Sequence, residues 1–244
     1  MPDPAPALQA VVLAGGLATR MRPLTEGVPK ALLEVAGRPF VDWQLERLAA
    51  SGLPDVVMCV AHLGAQIEAH VGDGARLGVR VRWSYEDAGA PGRLLGTAGA
   101  LRAALPLLAP TFLVTYGDSY LPFDYAAPLA ALAAAPDADG VMTVYPNAGR
   151  WDASNVVTDG TWVRRYEKGT GDRAFDHIDY GAIALRREVV AALPAGRPAS
   201  LEPILRALAL AGRLRAHLAR ERFFEIGSPD GLAALDSHLR SLHR

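Results

Sequence analysis

Short apolar runs recur along the chain, each stopping at a turn and handing over to a stretch of helical period. Leu8 to Ala14 is one such run and breaks at Gly15-Gly16, the pattern of a buried strand ending in a tight turn. Pro39 to Ala50 follows, with Phe40, Val41, Trp43, Leu45 and Leu48 spaced for a helix packed on one face. Asp55 to Ala61 and Val79 to Tyr85 read as strands flanking a helix over His62 to Val71. Gly96 to Leu108 reads as helix and Thr111 to Tyr116 as a buried strand closing at Gly117-Asp118. Alternation sustained to about residue 135 predicts an α/β fold, a mostly parallel sheet with helices on both faces. Ligands of such sheets bind beyond the carboxyl ends of the strands, so Gly15-Gly16 and Gly117-Asp118 are expected to share one crevice.

The later part changes character. Val141 to Tyr145, Ser154 to Thr158, Thr161 to Tyr166 and Asp179 to Leu185 are short strand candidates separated by Gly, Pro, Asn and Asp. They predict a smaller, partly antiparallel lobe beside a Rossmann-like sheet. Residues 186–211 read as helical, and Gly231 to Leu242 as a last helix capped near Ser228 or Asp230. With no internal repeat and no linker, one domain over residues 1–244 is expected, its parts meeting near residue 135.

With 25 basic residues against 26 acidic, charge gives no case for nucleic acid or an anionic membrane as partner. No apolar stretch approaches a membrane span, and Met1-Pro2-Asp3-Pro4-Ala5-Pro6 lacks the regions of a signal peptide and reads as a frayed start. The one cysteine, Cys59, lies in an apolar run and is expected to be a buried, inert thiol, in keeping with a reducing cytoplasm. His62, His70, His177, His217, His238 and His243 show no metal-ligand spacing, and the last two read as solvated helix residues. No Gly-x-Ser-x-Gly elbow occurs, and Ser119 has no evident partner base.

The run Leu13-Ala14-Gly15-Gly16, Thr19-Arg20, Arg22-Pro23-Leu24-Thr25 and Pro29-Lys30 combines glycines after a strand with several cations. Glycines let backbone N–H groups approach an anion closely. Arg20 can grip phosphate oxygens bidentately, while Lys30 offers a compact point charge. The chain holds only two lysines, Lys30 and Lys168, among its 25 basic residues, so both positions are candidates for sites where guanidinium cannot substitute. No Gly-Lys dipeptide exists, which excludes the triphosphatase phosphate loop, and Gly-x-Gly-x-x-Gly is missing after the first strand.

Residues 13–38 resemble the signature of sugar-1-phosphate nucleotidylyltransferases, Leu-Ala-Gly-Gly-x-Gly-Thr-Arg-Leu-x-Pro-Leu-Thr followed by Pro-Lys and Gly-x-Pro. Ala18 departs from the pattern, which has glycine there; its methyl is expected to need a negative φ or phosphates set slightly further out. The resemblance implies a nucleotide site at Leu13, Ala14, Gly15, Gly16, Thr19 and Arg20, with Gly96, Thr97 and Gly99 lining base and ribose. It makes Asp118 of Gly117-Asp118 a Mg²⁺ ligand beside the α-phosphate. Glu225 of Phe224-Glu225-Ile226-Gly227-Ser228-Pro229 stands for the second ligand, usually aspartate. Glu167-Lys168 resembles the Glu-Lys pair that binds sugar hydroxyls and sugar phosphate, and Asn155, Asp179, Tyr180 and Gly181 fall on further sugar-side positions. Arg20, Lys30, Asp118 and Lys168 are thus the expected catalytic groups.

The implied reaction is in-line attack of a sugar 1-phosphate on the α-phosphorus of a nucleoside triphosphate, releasing pyrophosphate, with no general base required. The compact length, with Gly72-Asp73-Gly74, is similar to enzymes pairing heptose 1-phosphate with GTP or N-acetylmuramate 1-phosphate with UTP, and the first is the expectation adopted. The alternatives are the second pair, a cytidylyltransferase acting on a non-sugar phosphate, or a non-catalytic relative that regulates a partner. A monomer or small homo-oligomer is expected.

Overall fold

The computed structural model describes residues 8–86, 94–169 and 171–242. Residues 1–6, the glycine-bearing approach at 87–93 and His243 lie outside the described residues.

Four strands form the parallel centre: β1 (Gln9–Leu13), and, after the two-residue β2 (Glu34–Val35) and β3 (Arg38–Pro39) and helix α1 (Phe40–Ala50), β4 (Asp55–Val60). Helix α2 (Gly64–Val71) leads to β5 (Arg80–Tyr85), and α3 (Gly96–Ala103) leads to β6 (Thr111–Tyr116). The order β5-β4-β1-β6 puts β1 at the middle, its residues in register with Asp55–Cys59 on one side and Leu113–Tyr116 on the other. Both edges of β1 are therefore paired, and both its faces are covered by apolar layers, which is why its sequence is almost continuously apolar. Ala10 and Val12 pack with Val41, Leu45 and Leu48 of α1, while Val11 packs with Leu101 of α3. Cys59 is buried in the same layer as Val11, and burial pushes its thiol up to about 12.

The rest of the chain adds β7 (Ser119–Tyr120), α4 (Ala127–Ala133), β8 (Gly140–Pro146), β9 (Val156–Thr158), β10 (Val163–Tyr166) and β11 (His177–Arg186). Helices α5 (Arg187–Ala191) and α6 (Leu201–Leu210), strands β12 (Leu214–Leu218) and β13 (Phe224–Glu225), and helix α7 (Pro229–Leu242) complete it. Strand β11 runs antiparallel to β6 and pairs with β8 and β9, so among the described residues nine strands make one mixed sheet. Between Asp179 and Ile183 the register with β8 shifts, and Gly181 takes a φ of 91° that a side chain would strain.

Several elements differ from expectation. The helical stretch over 186–211 divides into α5 and α6, and Pro194 and Pro198 lie in the gap. Helix α3 ends at Ala103 and a single tight turn over Leu105–Leu107 follows, accommodating Pro106. Strand β12, unexpected from the sequence, pairs parallel with β8. Helix α7 starts with Pro229 after Ser228, whose Oγ accepts the Gly231 amide at 3.1 Å.

Candidate active site

The turns after β1 and β6 meet at the carboxyl end of the parallel centre. The Gly117 amide donates to the Leu13 carbonyl at 2.9 Å. A Cβ on Gly117 would lie 2.8 Å from that of Ala14, so only glycine lets the two turns approach this closely. Beside them opens a cavity of about 320 Å³, lined among others by Leu13, Ala14, Gly15, Gly16, Ala18, Lys30, Gly96, Thr97, Tyr116 and Asp118. Glu86 also lines it and was not anticipated. Its carboxylate accepts the Leu95 amide at 2.8 Å, occupies the space a Cβ on Gly15 would need, and is pushed up by burial.

Of the two ways expected to accommodate the Ala18 methyl, a negative φ is not the one found: its φ is 50° and ψ 35°, in the left-handed region. The surroundings hold it there. Its carbonyl accepts the Thr25 hydroxyl at 2.9 Å and the Met21 amide at 3.0 Å. Thr19 and Arg20 stand exposed in the short turn that follows, and the Arg20 guanidinium approaches Gly227, where a Cβ would lie 3.2 Å from Nη2.

Lys30 Nζ is 2.6 Å from Asp118 Oδ2, with both side chains mostly buried. A two-residue ladder brings in the second carboxylate. Glu225 of β13 pairs with Ser119 of β7, and the Ile226 amide donates to the Asp118 carbonyl at 2.9 Å. Burial, followed by the charges of Asp118 and Asp152, raises the Glu225 carboxyl to about 7, against the opposing pull of Arg20. Lys30 and Asp118 thus share the cavity wall, and Glu225 lies near enough to feel the charges of Asp118 and Arg20. The Tyr116 hydroxyl is raised well above its ordinary value by burial and by the charges of Asp179, Asp118, Glu225 and Glu202.

On and beside β9, β10 and β11 the expected sugar-side residues divide. The Asn155 Oδ1 accepts the Asp179 amide at 2.8 Å, and the Asp179 carboxylate accepts the Tyr166 hydroxyl and the Gly181 amide, each at 3.0 Å. Burial raises the Asp179 carboxyl, with the Lys168 charge acting against it. Tyr180, one step along the strand, points to the opposite face. Its ring is buried against Phe123, Tyr145 and Phe223, which removes it as a side-chain sugar contact. Glu167 lies 3.8 Å from Arg206, and the Lys168 amide donates to Glu202 Oε1 at 3.4 Å.

Thr97 and Gly99 also have assignments of their own. The Thr97 hydroxyl accepts the Leu201 amide at 2.8 Å, and Gly99 is buried beneath the cavity wall with a would-be Cβ 3.0 Å from the Arg197 carbonyl. His238, expected to be solvated, stacks on Phe224 at 4.4 Å, which shelters the β13 end of the site. Glu86 on the cavity wall, Asp152 near Glu225 and Glu202 at the Lys168 amide carry no local motif and take these places only through the fold.

Among the described residues no three potential ligands cluster as a metal site. Asp118 and Glu225, the second raised in proton affinity by the charge of the first, nonetheless form a donor set suited to a hard cation, and Mg²⁺ commonly takes one or two carboxylates with substrate phosphates completing its shell.

Comparison with known proteins bears on the same cleft. A model of the nucleotidyl transferase family matches residues 9–154. N-acetylmuramate alpha-1-phosphate uridylyltransferase of Neisseria meningitidis serogroup B is 36% identical over 82% of this chain and 84% of its own. The enzyme of the same name from Caulobacter vibrioides is 31% identical over 94% of this chain and 96% of its own. The crystal structure of HddC from Yersinia pseudotuberculosis complexed with GMP-PN superposes with a TM-score of 0.76 at 23% identity, over 95% of this chain and 99% of that one. Among the described residues no helix is long and apolar enough to cross a membrane.

Proposed function

Because the chain belongs to the nucleotidyl transferase family and is a sugar-1-phosphate nucleotidylyltransferase, we propose that it transfers uridylyl from UTP to N-acetylmuramate α-1-phosphate, releasing pyrophosphate. The observation that carries the chemistry is the Lys30–Asp118 pair on the wall of the glycine-turn cavity, with Glu225 near enough to feel the charges of Asp118 and Arg20. The choice of nucleotide and sugar rests on the two uridylyltransferases that match nearly the whole chain. Heptose 1-phosphate with GTP, the pair expected from the sequence, gives way to it, since HddC is similar at a level that speaks for the fold alone.

In this reading the turn at Gly15-Gly16 brings backbone against the nucleotide, and Arg20 and Lys30 neutralise the triphosphate. Asp118 and Glu225 would hold Mg²⁺, which when bound supplies charge neutralisation at the phosphates. Lys168, with Asp179 and Glu202 nearby, steers the incoming sugar phosphate. The sugar phosphate is already a nucleophile at neutral pH, so these residues position and neutralise and no side chain need take a proton.

The test offers each nucleoside triphosphate with N-acetylmuramate, heptose, mannose and choline phosphates and Mg²⁺, and measures pyrophosphate. UTP with N-acetylmuramate α-1-phosphate should turn over fastest. A faster GTP–heptose pair would reverse the substrate assignment, and release from no pair would remove the catalytic one.

A further inference from the structure

We infer that Thr97 is a positioning residue for the sugar phosphate, acting through the segment 197–200 that ties α3 to α6, and not a side-chain ligand of the nucleotide. The inference rests on the nucleotidylyl-transfer reading above and deepens it. Thr97 lies in the first turn of α3 on the cavity wall, where a hydroxyl ordinarily bonds the free amides of its own helix. No side chain caps α3. Instead the Thr97 Oγ1 accepts, at 2.8 Å, the amide of Leu201, the first residue of α6.

The backbone between the two helices is held equally closely. The amides of Ala98 and Gly99 donate to the Ala199 carbonyl at 3.0 and 3.2 Å, and the Ala199 amide returns to the Leu95 carbonyl at 2.8 Å. A Cβ on Gly96 would lie 2.7 Å from the Ala199 carbonyl oxygen, so the approach is as tight as glycine permits. Two of the amides that α3 could offer an anion are therefore engaged by this segment.

What the segment delivers is the sugar wall. One residue past Leu201, Glu202 is capped by Ser200 Oγ at 3.4 Å and accepts the Lys168 amide at 3.4 Å. One turn further, Arg206 lies 3.8 Å from Glu167. Leu201 is only 1% exposed, so deleting its acceptor leaves a buried amide unpaired, and the first turn of α6 must shift to find water. That shift moves Glu202 and Lys168 while leaving the Lys30–Asp118 pair, on other elements, in place.

The experiment compares the wild-type chain with Thr97→Val and Thr97→Ser, by initial rates and by calorimetric affinities for UTP and for N-acetylmuramate α-1-phosphate. Thr97→Val should raise KM and Kd for the sugar phosphate by about tenfold, the size of a removed hydrogen bond, with the UTP constants within about twofold. Thr97→Ser keeps the acceptor and should restore both. A UTP constant rising as much as the sugar-phosphate constant would overturn the inference, as would no change in either. Should Thr97→Val not fold, Ser200→Ala removes the cap of Glu202 and must give the same split, equal changes again overturning it. A wild-type chain without turnover would sink the function reading, while the calorimetric split still decides this one.

Discussion

At Ala18 the turn after β1 carries a methyl in left-handed backbone, a conformation costing an L-residue about 1–2 kcal/mol. Ala18→Gly is therefore expected to stabilise the protein by about 1 kcal/mol after the extra entropy of glycine is deducted, read as a raised urea midpoint. An unchanged or lowered midpoint would show that the two hydrogen bonds on its carbonyl already absorb the strain. Asp118 belongs to the same scale. Asp118→Asn keeps its shape but loses the charge facing Lys30, and turnover should fall by at least about a hundredfold with the circular dichroism unchanged. Near-normal turnover would remove Asp118 from the chemistry. Arg20 and Asp118 were legible in the sequence because each sits within a few residues of a glycine turn, and Lys30 because it is one of only two lysines. Glu86 and Glu202 were not. Glu86 reaches the cavity from the end of β5, and Glu202 meets the Lys168 amide from the start of α6, through tertiary packing that leaves no local pattern.

Among elements, the contact of the β1 and β6 turns is a tight constraint on the site. Gly117→Ala would force a Cβ to within 2.8 Å of Ala14 Cβ and 3.1 Å of the Leu13 carbonyl. Overpacking of this kind costs about 1–3 kcal/mol, and UTP affinity should fall with stability because the same turns line the cavity. Loss of stability without loss of affinity would separate the two. A second network ties α1 to α2 and the turn beyond it through the buried Asp42, which meets Arg76 at 2.9 and 3.0 Å and His70 at 2.8 Å. Burial pushes its carboxyl up, but the hydrogen bonds and charges of Arg76 and His70 outweigh this and hold it below its ordinary value. A lowered native pKa stabilises the fold above the unfolded pKa near about 4, and that contribution is lost as pH falls through the native value. Asp42→Asn should thus cost about 2 kcal/mol at neutral pH and progressively less in acid. Urea midpoints at both pH values check this, and a constant gap would refute it. The parallel strands were legible because buried strands between glycine turns leave uninterrupted apolar runs. β12 was not, since Leu214-Arg215-Ala216-His217-Leu218 mixes polar and apolar residues and is a strand because β8 offers it an edge.

Over the whole molecule, the expected second lobe shares one sheet with the nucleotide half. Strand β11 borders β6 along its later residues and β9 at its start. Alternation of strand and helix revealed the first half of that sheet. The join was hidden because it depends on a bulge at Gly181 and on pairing between segments far apart in sequence. Because both halves share that sheet, ligand binding to the cleft should stabilise the molecule as a unit, by about 2.7 kcal/mol at a hundredfold excess over Kd. A thermal shift with UTP and Mg²⁺ that moves one transition checks this; two separate transitions would mean that the halves unfold independently.

The ion pair of Lys30 with Asp118 also bears on the order in which ligands arrive. While the cleft is empty, the carboxylate already has a cation, held at 2.6 Å on a mobile stem. A divalent ion coming alone would have to evict that ammonium without offering it an anion in exchange. A triphosphate supplies that anion: as Lys30 swings onto the phosphates it frees the carboxylate for the ion travelling with them. Nucleotide and metal should therefore load as one species, and the cleft should resist poisoning by free divalent ions until a nucleotide is present.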